Sequence, residues 1–313
     1  MKPIIKWRSV AILFCLTASL LAGCNGDDDE QQKAQWKAAA EAAFRHNAEI
    51  AEHAFEGELK VDDSLLPILL PSDAQLLSPL LSGGLEWKGA VDTDPLRAEA
   101  EIWLGSSDDP STPTVPLLIQ DNKLYASVPM VNEFDEYLEI ELSEQPENSL
   151  FSADVLSEGG TIVERWVEHL MLQANASLYE MQASPEFAPP SGVEEVSPSA
   201  PVPGRYEVSV TEENQEQWKT IVSAWLNRGE SATEAAWSVL PGGWVAVTVD
   251  EAGFAVDYEL ELTLQQDGEN RTLSGAVRKT ALNEPPNWTR AVPEKVLPFQ
   301  NVITFLRSNA PNS

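Results

Sequence analysis

Between Val256 and Leu264 the side chains Val256, Tyr258, Leu260, Leu262 and Leu264 alternate with Asp257, Glu259, Glu261 and Thr263. Successive side chains on a strand point to opposite faces, so this segment can only be satisfied with one face buried and the other in water. That is the pattern of an antiparallel sheet covered on one side. Asp267-Gly268 then offers a tight turn into a hairpin partner over residues 271–282.

Similar short segments recur earlier in the chain. Residues 55–61, 85–91, 98–104, 115–120, 123–128 and 137–142 have strand-like content, with Asp121-Asn122 as a turn between two of them and Asp92-Thr93-Asp94-Pro95 as another. Arg205 to Val210 and Trp244 to Val249 add two more strands.

Elsewhere the period is helical. From Gln31 to about Phe55, Trp36, Ala40, Phe44, Ala48, Ala51 and Phe55 recur at steps of three and four, with His46 and His53 placed on the polar side. Thr161 to Met181 carries Val163, Trp166, Val167, Leu170, Ala174 and Leu178 on one side. A further helix, capped by Thr211, has Trp218, Ile221, Val222 and Trp225 as its apolar positions, and Ser231-Ala232-Thr233-Glu234 has capping-box spacing for a shorter one. The segment Ser64 to Ser82 is rich in leucine and broken by Pro67, Pro71 and Pro79; it reads as a flap or lid over apolar surface. The tail from Val292 to Leu306 is apolar enough to pack back on the body.

The N-terminus has a separate logic. Lys2, Lys6 and Arg8 precede an apolar run from Val10 to Leu21, too short to span a bilayer as a mature helix, and Leu21-Ala22-Gly23-Cys24 closes it. These residues resemble a bacterial lipobox. The resemblance implies removal of residues 1–23, lipidation of Cys24 with palmitate-like acyl chains, and attachment to the outer face of the cytoplasmic membrane or to an outer membrane. Residues 24–32, with Asp27, Asp28, Asp29 and Glu30, then read as an extended, solvated tether.

Removing residues 1–23 takes three of the 20 basic side chains and none of the 50 acidic ones, so the mature chain carries a net charge of −33. Such a charge repels nucleic-acid phosphates and anionic lipid headgroups, leaving the acyl anchor as the membrane contact. Cys15 lies in the signal and Cys24 is the lipidation site, so no thiol remains for a disulfide or a Cys-ligated metal. No G-x-S-x-G, S-x-x-K or H-E-x-x-H spacing and no phosphate-cradling glycine loop occurs. The expectation is a non-enzymatic protein without a cofactor or metal.

The order of elements, together with Phe55-Glu56-Gly57-Glu58-Leu59, Gly89-Ala90-Val91-Asp92-Thr93-Asp94-Pro95, Asn122-Lys123-Leu124-Tyr125 and Tyr206 to Glu213, resembles the bacterial lipoproteins of the LppX and LprG group. The resemblance implies an α+β fold: a curved antiparallel half-barrel covered on one face by helices, like the lipoprotein carriers LolA and LolB. It also implies a lipid or other hydrophobic ligand held between sheet and helices. The expected arrangement is a single domain over residues 33–313. Its halves, 33–183 and 205–313, are joined by a Pro-rich connection at 184–204. Periodicity nominates Trp166, Leu170, Trp218, Trp225, Tyr258, Leu260 and Leu262 as ligand-facing. The same residues suit an ordinary filled core of an anchored interaction or sensor module, and sequence does not choose between the two.

Overall fold

The computed structural model describes residues 27–65, 84–106, 108–109, 111–128, 136–142, 161–182, 202–226 and 237–299. The lipobox with Cys24, most of the leucine-rich segment, the Pro-rich connection, the Ser231 capping box and the tail beyond Phe299 lie outside them.

Among the described residues thirteen strands form one open sheet, mostly antiparallel. They are β1 (Glu52–Val61), β2 (Leu85–Thr93), β3 (Leu96–Trp103), β4 (Thr114–Gln120), β5 (Lys123–Ala126), β6 (Tyr137–Glu141), β7 (Tyr179–Gln182), β8 (Gly204–Ser209), β9 (Ser238–Val239), β10 (Trp244–Val249), β11 (Ala255–Gln266), β12 (Glu269–Thr280) and β13 (Val296–Pro298). The order is β13-β6-β5-β4-β3-β2-β1-β12-β11-β10-β8-β7, with β9 pairing off this path onto β11. Both halves therefore share one sheet, joined where β1 pairs with β12, β7 with β8 and β13 with β6. The architecture is an α+β half-barrel: a curved sheet that does not close, with helices on one face.

Among the described residues three helices supply that cover: α1 (Asp27–His46), α2 (Ile162–Gln173) and α3 (Gln215–Leu226). α2 lies on β10, β11 and β12, and α1 reaches β7, β8, β10 and β11. The buried side chains of the three helices merge with Tyr206, Val208, Val245, Val247, Tyr258, Leu260, Leu262 and Leu264 into one apolar cluster. A smaller cluster of Ile119, Leu124, Ile140 and Leu142 lies under β4 to β6, with Phe299 packed against it.

Local chemistry explains the hairpins. Asp121 and Asn122 both have positive φ, 54° and 62°, as do Asp267 and Gly268, 53° and 82°. Positive φ at both central residues matches the right-handed twist of the strands they join. Glycine lets β1 and β2 approach their neighbours closely. On the helix-covered face of β1 and β2, Gly57 pairs with Trp87 and Gly89 pairs with Phe55, two aromatic-glycine pairs set in opposite sense.

Several boundaries differ from those read in the sequence. α1 begins at Asp27, so Asp27 to Gln32 are helical, not extended, and Asp29 to Gln32 are exposed; acidic residues in a first helical turn complement the helix dipole. α1 ends at His46, and a single 3-10 turn at Asn47–Glu49 leads into β1. His53 is therefore a strand residue, 2% exposed, while His46 stacks on Phe254 with ring centroids 4.2 Å apart. α2 stops at Gln173, and residues 179–182 are strand: the Tyr179 hydroxyl donates to Met171 O at 2.7 Å and turns the chain back onto the sheet. α3 starts after Asn214 and not after Thr211: the Asn214 carbonyl accepts from Gln217 N and Trp218 N, and its Oδ1 accepts from Thr211 N at 2.8 Å. Finally, the register of β10 on β11 shifts between Thr248 and Val249, so Val256 is passed over and Ala255 turns inward in its place.

Candidate functional site

The residues nominated from periodicity meet in the layer between helices and sheet. Trp166 and Leu170 on α2, Trp218 on α3, and Tyr258, Leu260 and Leu262 on β11 are all at most 8% exposed and belong to one cluster. Trp225 lies on α3, but its side chain falls outside the described residues. Leu65, the first leucine of the segment read as a lid, is fully buried in the same cluster.

α2 is fixed at both ends. Thr161 caps its N-terminus, its hydroxyl accepting from Glu164 N. At the other end, Lys37 of α1 donates to Leu172 O at 3.1 Å and to Ala174 O at 2.7 Å, satisfying carbonyls that the helix leaves without partners. Lys33 does the same for Ser177 O one step further along.

The layer also holds polar groups that the periodicity did not nominate. Glu164 on α2 and Lys279 on β12 form an ion pair at 2.9 Å, with side chains 5% and 6% exposed. Desolvation pushes the Glu164 carboxyl above its usual range, and the Lys279 ammonium and Thr161 pull it back only in part. The Lys279 ammonium stands 5.4 Å above the Tyr258 ring. Burial raises the Tyr258 phenol well above its ordinary pKa, and its oxygen accepts a hydrogen bond from Asn47 Nδ2. Phe44 stacks on Tyr258 with centroids 6.3 Å apart. Two signals could have found the pair: Thr161-x-x-Glu164 has capping-box spacing, and alternation from Leu273 through Gly275 and Val277 puts Lys279 on the covered face.

The opposite face is different in chemistry. Here the registers align Glu101, Lys88, Glu56, Arg278, Asp257, Thr248 and Arg205 in one cross-strand row, so charges of opposite sign stand side by side over most of it. Arg278 contacts Asp257 at 2.6 Å, and Arg205 pairs with Glu259. The neighbouring row holds Trp103, Glu86, Glu58, Ala276 and Glu259. Apart from Glu101, the residues of these rows line an open groove of about 750 Å³. Its ionised walls suit water or a polar partner, not an acyl chain.

Among the described residues no group of three or more His, Asp or Glu side chains is placed to hold a metal ion. None of the described helices is long and apolar enough to cross a membrane.

The sequence matches no family model and no curated protein. Among solved structures, the fold is similar to LprF from Mycobacterium bovis, with a TM-score of 0.35 and 9% identity, covering 86% of this chain and 99% of that one. It is likewise similar to the lipoprotein LppX of Mycobacterium tuberculosis, with a TM-score of 0.35 and 14% identity over 80% of this chain and 97% of that one.

Proposed function

We propose that this chain is a lipid-anchored extracytoplasmic protein that binds or carries a lipid or other hydrophobic ligand between its helices and the covered face of its sheet. The observation that supports this reading is the aromatic-rich layer in which Trp166, Leu170, Trp218, Tyr258, Leu260 and Leu262 come together beneath helices of an unclosed sheet. An open sheet can part from its helical cover without breaking strand pairs, so an apolar guest can replace side-chain contacts with its own. The lipobox at Leu21 to Cys24 supplies the anchor in this reading.

One observation favours a second reading. The six described side chains are packed to 8% exposure or less, as in the filled core of an anchored interaction module. Native mass spectrometry of the full-length chain in detergent, with extraction of bound lipid, separates the two. A stoichiometric co-purified lipid, or uptake of an offered one, is the expected result. A clean apo mass with no uptake of any fatty acid, ester or alcohol sinks the carrier reading and leaves the interaction module.

A further inference from the structure

Glu164 and Lys279 form the one ion pair, among the described residues, in which both side chains are more than nine-tenths buried. Lys279 pairs with Glu164 Oε2, and the Thr161 N–H and hydroxyl stand close enough to help hold the carboxyl's charge, but Oε1 is buried and makes no hydrogen bond of its own. A buried acceptor without a donor is uncommon in folded proteins and calls for a partner. The pair also stands where such a partner would be useful, in the first turn of α2, from which Val167 and Leu170 continue along the helix over the sheet.

Resting on the carrier reading above, we propose that Glu164, held by Lys279, anchors the polar head of the ligand, and that this head is an uncharged hydrogen-bond donor, a hydroxyl on an otherwise apolar chain. The charges around the pair select that class. The ion pair is already neutral, so a hydroxyl donating to Oε1 leaves the layer neutral. An ammonium would bring an uncompensated positive charge into a medium of low dielectric, and a carboxylate or phosphate would face Glu164 together with Glu168, whose charge is felt at Tyr258. The Tyr258 hydroxyl already accepts from Asn47, whereas Glu164 Oε1 is a buried acceptor with no hydrogen bond. The chain of the ligand would then run from Glu164 past Val167 and Leu170.

The test uses three C18 probes of one chain, oleyl alcohol, methyl oleate and oleate, titrated into the delipidated full-length protein and read by native mass spectrometry. One hydrogen bond to a carboxylate corresponds to about tenfold or more in affinity, so oleyl alcohol should half-saturate at a concentration lower by that factor than methyl oleate, with oleate weakest. Replacing Glu164 alone by an apolar residue would strand the Lys279 ammonium, so the informative variant is Glu164→Leu with Lys279→Met, checked for its fold by thermal melting. It should bind methyl oleate as the parent does and lose the preference for the alcohol, while Glu164→Gln, which keeps an acceptor, should retain most of it. Equal binding of alcohol and ester by the parent, or a preference that survives in the double variant, overturns the head-group anchor and leaves the carrier reading standing. Uptake of none of the three overturns the carrier reading, and the anchor with it.

Discussion

The indole of Trp87 occupies the space where a side chain on Gly57 would stand: a Cβ built on Gly57 falls 2.7 Å from Trp87 Cε2 and Cζ2, and 2.6 Å from the Ala276 carbonyl oxygen. The reciprocal pair behaves alike, since a Cβ on Gly89 falls 2.8 Å from Phe55 Cζ and 2.3 Å from Glu99 O. Each aromatic ring fills the gap that its glycine partner leaves, and each glycine lets the neighbouring backbone approach.

Gly57→Ala and Gly89→Ala should therefore each cost stability despite adding only a methyl group. Backbone atoms, which cannot rotate away, are among the contacts, so the cost should be about 1–3 kcal/mol, in the range of overpacked cores. Urea unfolding followed by tryptophan fluorescence measures it. Unfolding midpoints equal to the parent's would show that the strands can shift to take the methyl group, and that close approach at β1 and β2 does not require glycine.

How far the sequence disclosed this fold depends on whether the decisive contacts are local. Alternation at Tyr258, Leu260, Leu262 and Leu264 is a property of one strand, and it placed all four on the covered face. Asp121-Asn122 and Asp267-Gly268 likewise carry their turn in their own residues. The end of α2 was missed because a bond from Tyr179 to Met171, combined with pairing of Tyr179 to Val208, overrides a helical spacing that continues to Leu178. The Val256 inversion has the same origin: the shift lies in the pairing with β10, not in the alternation of β11. The Glu164–Lys279 pair joins residues more than a hundred positions apart, and only the folded chain brings them together.

Lys279→Met should destabilise strongly, by about 3–5 kcal/mol, because it leaves Glu164 buried without its counter-ion. The loss should depend on pH with a definite sign. Desolvation already raises the Glu164 pKa above its unfolded value, and removing Lys279 removes a main influence that lowers it. A carboxyl whose folded pKa is raised binds its proton more tightly when folded, so stability falls as pH rises above the unfolded carboxylate range. The deficit of Lys279→Met relative to the parent should accordingly be larger at pH 8 than at pH 5. The double replacement Glu164→Leu with Lys279→Met should sit close to the parent at both. A deficit in Lys279→Met that is independent of pH would show that Glu164 finds another partner or reaches water.

Glu99 on β3 carries the opposite sign. Burial pushes its carboxyl up, but donors from Thr289 N, Arg290 N, Arg97 and the Thr289 hydroxyl together outweigh this and hold its pKa below the usual value. Thr289 N and Arg290 N approach at 2.9 and 3.0 Å, and Trp288 lies under the Arg97 guanidinium at 4.7 Å, so this carboxylate fastens the segment that precedes β13 across the sheet. A depressed folded pKa gives stability that is present above the unfolded pKa and is lost as pH falls through the folded one. Glu99→Gln should cost about 1–2 kcal/mol at pH 7, and the difference from the parent should shrink below about pH 4 as the native carboxyl protonates. Equal stability of the two proteins at pH 7 would mean that the segment is held by the Trp288 contact, the Arg97 bond to Arg290 O and the Arg290–Glu101 pair, the last at 2.7 Å.

Cys24 is the remaining prediction, and it concerns where the fold is held. α1 starts at Asp27, three residues past the cysteine, so an acylated Cys24 would keep the first turn of the helix close to the bilayer. That turn carries Asp27, Asp28, Asp29 and Glu30, which anionic headgroups repel. On the lipobox reading, attachment would come from the acyl chains, each methylene contributing about 0.8 kcal/mol, with the charge of the protein working against it. Cys24→Ser should abolish incorporation of an alkyne-tagged palmitate and leave the precursor uncleaved after Gly23. High salt, by contrast, should not release the parent protein from membranes. If the serine variant is still labelled, or if salt alone releases the parent, the protein is held by a different site or by surface charge, and Leu21 to Cys24 does not act as a lipobox.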